Sequence, residues 1–262
     1  MTGFDWRTAT DAEVDHEYSP SRFATRPLDE YLEEYARLSK PYRSAVLAKK
    51  RAPLLVYVHG GYWQRLSAAD SLFNAPDAAD HGVSLHAVEY TLAPHATVRQ
   101  IVDECIADVA RVIDELDPTT VVVAGCSAGA HLAAMCAREP GIAARIDGAA
   151  LLSGIYDVRP IVRTPTNDLL GLDDRSAAEV SPQLLPAPQI PLGRALLAVG
   201  EHESSEFIRQ NREYGERLAH DGTDTVISVV ENRDHFDLPY DLLRAGSVVG
   251  NWVLDVLKGR HP

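Results

Sequence analysis

Basic residues are scarce in this 262-residue chain: 25 Lys and Arg stand against 38 Asp and Glu, a net charge of −13. A surface that negative repels phosphate backbones and anionic lipid headgroups, which argues against nucleic acid and membrane as partners. Long hydrophobic runs are missing too. No window approaches the roughly 18 uninterrupted apolar residues that a spanning helix needs. The acidic, polar start MTGFDWRTATDAEVDHE lacks the basic and then apolar pattern of a secretory signal. The expected location is the cytoplasm. Cysteine is equally sparse: Cys105, Cys126 and Cys136 form no CxxC pair, so neither a disulfide framework nor a zinc site is expected, and an odd number suits a reducing compartment. There is no internal repeat or low-complexity tract, and no clustered His and carboxylate spacing for a metal. The expectation is a site with no metal and no cofactor.

What is present is a chain 45% hydrophobic and 24% charged, enough for one α/β domain with a sizeable core. LLVYV (54–58) reads as a buried strand, and VSLHAVEY (83–90), VVVAG (121–125), IDGAALLSG (146–154), RALLAVG (194–200) and DTVISVV (224–230) read as further strands. Between Val98 and Leu116 apolar residues keep the i, i+3, i+4 spacing of a helix with one buried face. Further helices are expected at 27–38, after Ser127, around 205–220 and at 239–258. Alternating strands and helices predict a mostly parallel central sheet covered on both faces, with functional loops at the strands' carboxyl ends. The whole chain, 1–262, reads as a single domain in which 1–50 is a lead-in. The stretch 155–193 carries six prolines and no strand pattern, which suggests a small inserted cap or lid.

Gly125-Cys126-Ser127-Ala128-Gly129 is a GxSxG placed between a strand and a helix, where a serine on a tight turn projects its hydroxyl into solvent as a nucleophile. His59-Gly60-Gly61-Tyr62-Trp63 ends the first strand. Its glycine loop can aim backbone N–H groups at an oxyanion, and Gly61 and Tyr62 are assigned that role together with Ala128. His59 is expected to brace the loop. Tyr62 and Trp63 are either core aromatics or the wall of an aromatic pocket. Of ten histidines, His235 alone combines chain order with a position after the last strand, where a base must lie to reach Ser127. The acid that orients it follows RALLAVG: Glu203 is preferred, with Asp157 as its competitor. Cys126 reads as a packing residue.

HGGYWQ, GCSAGAHLAAM, SGIYDVRPI, GEHESSEFIRQN and DHFDLPY, with EYSPSR near the start, resemble in that order the serine-dependent kynurenine formamidases (arylformamidases) of the α/β-hydrolase superfamily. The resemblance implies the α/β-hydrolase fold and a triad of Ser127, Glu203 and His235, with glutamate where aspartate is usual. It also implies hydrolysis of N-formyl-L-kynurenine to L-kynurenine and formate. The partner would be a small-molecule substrate, its carboxylate met by Arg65, Arg159 or Arg163, and a homodimer is left open. The alternative is a carboxylesterase or amidase acting on another small aromatic or secondary-metabolite ester.

Overall fold

In the computed structural model, which describes residues 4–44 and 47–259, six strands form one sheet in the order β2-β1-β3-β4-β5-β6. They are β1 (Leu54–Val58), β2 (Ser84–Val88), β3 (Val121–Cys126), β4 (Gly148–Leu152), β5 (Arg194–His202) and β6 (Asp224–Asp234). Every neighbouring pair runs parallel. Ten helices accompany them among the described residues: α1 (Asp11–Glu17), α2 (Leu28–Ser39), α3 (Ala75–His81), α4 (Val98–Leu116), α5 (Ala128–Ala137), α6 (Pro140–Ala143), α7 (Asn167–Leu170), α8 (Asp174–Glu179), α9 (Ser205–His220) and α10 (Val248–Leu257). None is long and apolar enough to cross a membrane. The outer ends of the expected single domain, and residues 45 and 46 inside its lead-in, lie outside the described residues.

Strand alternation sorts the core into two faces. Leu54, Val56 and Val58 pack with α4, α5 and α9 residues such as Ile101, Leu132 and Phe207. Leu55 and Tyr57 point the other way, toward Tyr35 of α2, Ala78 of α3 and Val253 of α10. Burial on both faces is why β1, β3 and β4 read as continuous apolar runs, whereas the edge strand β6 leaves Val226, Ile227 and Val229 exposed. Helix α4 spans the residues its periodicity predicts, opened by a capping box at Thr97 and Gln100. The last helix is shorter than the pattern suggests. Leu238–Asp241 forms a separate 3₁₀ turn and α10 begins only at Val248, because the intervening glycine at 246 takes a left-handed φ of 91°.

The 155–193 stretch is joined to the main core by its own side chains. Its residues Ile155, Val158, Ile161, Leu170, Ala177 and Val180 are buried in the main core. Arg138 donates to the Pro182 carbonyl at 3.2 Å and Arg217 to the Gln183 carbonyl at 2.9 Å, clamping the segment onto α5 and α9. Buried isoleucines, leucines and valines give it a packing role that its prolines obscure in the sequence.

Candidate active site

Four loops meet at the carboxyl ends of the strands: those after β1, β3, β5 and β6. Ser127, between β3 and α5, has φ 58° and ψ −125°, a left-handed conformation that costs a non-glycine residue about 1–3 kcal/mol. The turn is held because its flanks are glycines in close contact. A Cβ on Gly129 would lie 2.1 Å from the Val58 carbonyl oxygen, and one on Gly125 would lie 2.2 Å from that of Gly129. The loop after β1 is strained in the same sense: Gly61, Tyr62 and Trp63 have φ of 94°, 52° and 59°. Its turn is closed by Gln64 and Arg65 N–H groups, each 3.0 Å from the Gly61 carbonyl. Among the described residues the N–H groups of Gly61, Tyr62 and Ala128 meet no backbone acceptor.

Glu203 follows β5 and His235 follows β6, and the structure brings them together. His235 Nδ1 donates to Glu203 Oε2 at 2.7 Å, and Oε1 of the same carboxylate accepts from Ser153 Oγ at 2.6 Å and from the Gly200 N–H at 2.8 Å. A register shift between Gly200 and His202 lets β5 curl so that Glu203 reaches this position. Phe207 and Phe236 pack their rings at 4.8 and 5.1 Å from the imidazole. With Nδ1 committed to a carboxylate, Nε2 is the nitrogen left to take a proton. Asp157 is engaged elsewhere: Arg159 grips both its oxygens, at 2.9 and 2.8 Å.

Ser127 and His235 border one cavity of about 250 Å³, whose wall includes Gly60, Gly61, Tyr62, Gln64, Arg65 and Cys126. Burial pushes the Cys126 thiol well above its ordinary pKa, and the carboxylates of Glu203 and Asp234 add to the effect; it stays protonated. Its Sγ lies 3.5 Å from the His235 carbonyl, as a packing residue should. His59 Nδ1 lies 3.0 Å from the Gly60 carbonyl and its ring stacks on Tyr90 at 4.1 Å, so it braces the loop. Burial drives its pKa down to about 4.

Trp63 corrects an expectation. It is fully buried and absent from the cavity wall, because its left-handed backbone turns the indole inward to donate to His131 Nδ1 at 3.3 Å. Tyr62 does border the cavity, with its hydroxyl tied to the Tyr18 carbonyl. Of the three candidate arginines, Arg159 is bound to Asp157 and Arg163 to Asp11; Arg65 alone reaches the cavity. The 155–193 segment contributes only Thr166.

The opposite wall comes from the N-terminal lead-in, through Tyr18, Ser19, Pro20, Leu28, Leu32 and Tyr35. That role is missed by sequence reasoning, whose single hint is EYSPSR. Asp234, beside His235, fastens this segment: its Oδ2 accepts from the Thr25 N–H at 2.7 Å and from the Thr25 and Tyr31 hydroxyls at 2.6 Å each. Its Oδ1 accepts from the Phe236 N–H at 2.9 Å.

A family model described as alpha/beta hydrolase fold matches residues 55–237. The kynurenine formamidase of Danio rerio is 30% identical over 270 residues, covering 89% of this chain and 92% of that protein. The chain belongs to the kynurenine formamidase family of α/β hydrolases. The family's Salmo salar kynurenine formamidase is 36% identical over 196 residues, 71% of this chain and 66% of that protein. Among solved structures, a thioesterase candidate from Silicibacter sp. TM1040 superposes with a TM-score of 0.80 at 23% identity, over 94% of this chain and 99% of that one, a likeness of fold. As a member of the kynurenine formamidase family, the chain is a hydrolase of amide or ester bonds.

Proposed function

We propose that the protein cleaves aryl formamides, with N-formyl-L-kynurenine as substrate and L-kynurenine and formate as products. The observation that carries this reading is the 2.7 Å contact of His235 Nδ1 with Glu203, in a chain of this family and at the cavity that Ser127 borders. His235 Nε2 takes the Ser127 proton as Oγ attacks the formyl carbon. The oxyanion receives the N–H groups of Gly61, Tyr62 and Ala128. Glu203 holds the imidazole in the right tautomer and stabilises its cation. The intermediate then collapses: the C–N bond breaks, the aryl amine leaves with the proton from His235, and a formyl ester remains on Ser127. Water, giving a proton to His235, attacks that ester. Formate departs and Ser127 recovers its proton.

The test is release of L-kynurenine from N-formyl-L-kynurenine by the wild type and by Ser127→Ala. The reading expects steady turnover by the first and a loss of at least about 10³-fold in kcat in the second. Wild-type protein that leaves the formamide intact while hydrolysing small aryl esters would assign the alternative, a carboxylesterase or amidase acting on another small aromatic or secondary-metabolite ester.

A further inference from the structure

The cavity wall is nearly free of formal charge. Among the described residues no Asp or Glu borders it, and the charged side chain that does is Arg65, in a protein with a net charge of −13. The two bordering histidines do not change this. His59 is neutral with a pKa of about 4, and His235 turns its Nδ1 away from the cavity to the Glu203 carboxylate.

Most arginines here are paired: Arg159 with Asp157, Arg163 with Asp11, Arg209 with Glu206 and Arg233 with Asp241. Arg65 sits at the exposed rim, and among the described residues no ion pair occupies its guanidinium. Its backbone is nevertheless fixed. The Arg65 N–H bonds the Gly61 carbonyl at 3.0 Å, so the cation is carried on the same tight turn that presents the Gly61 and Tyr62 amides. Much of the facing wall is apolar, through Leu28, Leu32, Tyr35, Tyr57 and Phe73. A ligand matching these surfaces has a reactive carbonyl at Ser127, an apolar aromatic body, and an anionic group at the rim.

We propose that Arg65 is a specificity-determining residue that selects substrates carrying a carboxylate on the leaving group. The inference rests on the Ser127 hydrolase reading. It is independent of whether the bond cleaved is a formamide or an ester. The guanidinium offers a fork of donors to a carboxylate, and a charge-assisted contact of this kind is worth about 1.5–3 kcal/mol, equivalent to roughly 10- to 150-fold in kcat/KM.

The experiment measures kcat/KM for two matched pairs, N-formylkynurenine against N-formylkynuramine, which lacks the carboxylate, and 4-carboxyphenyl acetate against phenyl acetate. Wild type, Arg65→Met and Arg65→Lys are compared. The expected result is that the carboxylate-to-neutral ratio falls by about 10-fold or more in Arg65→Met, mainly through KM, and is partly kept in Arg65→Lys. A check needing no variant follows the wild-type ratio as salt rises from about 0.05 to about 0.5 M, where screening should lower it. An unchanged ratio in Arg65→Met, or a wild-type ratio indifferent to salt, overturns the proposal. If formamides are inert while the ester ratio depends on Arg65, the anchor stands and the formamidase reading falls. If neither pair is hydrolysed, both fall.

Discussion

The Tyr31 hydroxyl donates to Asp234 Oδ2 across 2.6 Å, although 203 positions separate the two residues. Because Asp234 precedes His235, one buried carboxylate joins the N-terminal wall of the cavity to the loop carrying the base. Burial alone would raise the pKa of Asp234, but the hydrogen bonds from Thr25 and Tyr31 outweigh it and hold the group below its ordinary value of 3.8. Its contribution is therefore complete above that value and is lost as pH falls through the lower folded pKa. Asp234→Asn should cost about 2–4 kcal/mol in urea unfolding, as bonds to a charged acceptor are lost. It should also lower kcat/KM. A variant as stable and active as wild type would show that the lead-in is held by other contacts.

The acid assignment gives a comparison between two carboxylates. Glu203→Gln should lower kcat by two orders of magnitude or more, with little change in KM, because the carboxylate touches His235 and the loop. Asp157→Asn should do much less to kcat, since it disturbs a pair with Arg159 away from the base. Glu203→Asp shortens the side chain by a methylene and should retain more activity than Glu203→Gln. The reverse order of damage would move the acid to the end of β4.

His131 predicts an acid limit to stability. Its Nε2–H donates to the Val180 carbonyl at 2.7 Å while Nδ1 accepts from Trp63, and burial pushes its pKa from 6.5 to about 4. His59 is lowered by burial to about the same value. Since the unfolded chain binds these protons more readily, the neutral forms stabilise the fold fully above pH 6.5, and that stability is lost as pH falls from 6.5 toward 4. Each contributes on the order of 3 kcal/mol. Thermal melts should show Tm dropping through this window, and His131→Gln should flatten the drop. A Tm independent of pH between those values would contradict it.

Gly129→Ala probes the serine turn. The new Cβ would lie 2.1 Å from the Val58 oxygen and 2.6 Å from that of His59, contacts with backbone that cannot yield without moving α5. A loss of about 3 kcal/mol or more, with activity falling alongside, is the expected outcome. Gly141→Ala, with nothing near its Cβ, serves as the control.

The parallel sheet and the loops that carry Ser127, Glu203 and His235 were legible because each is written locally. Buried parallel strands are apolar runs, a GxSxG between strand and helix has one geometry, and the histidine and acid follow successive strand ends. What escaped has a long-range cause. Whether Trp63 is a core or a pocket aromatic is decided only by its partner His131, 68 residues on. Likewise, nothing in residues 18–35 says that Asp234 will anchor them. The prolines of 155–193 mark an inserted segment, but the partners of the buried side chains between them lie elsewhere in the chain.

The measurement that bears most directly on the account is the wild-type kcat/KM for N-formyl-L-kynurenine against N-butyryl-L-kynurenine, two amides with the same leaving amine. Once divided by the ratio of their uncatalysed hydrolysis rates, their kcat/KM ratio reads the acyl side of the cavity. Tyr62, tethered to the Tyr18 carbonyl, borders the cavity from within the oxyanion loop, and its bulk there is expected to disfavour acyl groups larger than formyl. The account predicts that the formamide is favoured by about 10-fold or more, the scale of misfit for a few methylenes. Equal or faster cleavage of the butyramide would contradict it and place the protein among general amidases and esterases.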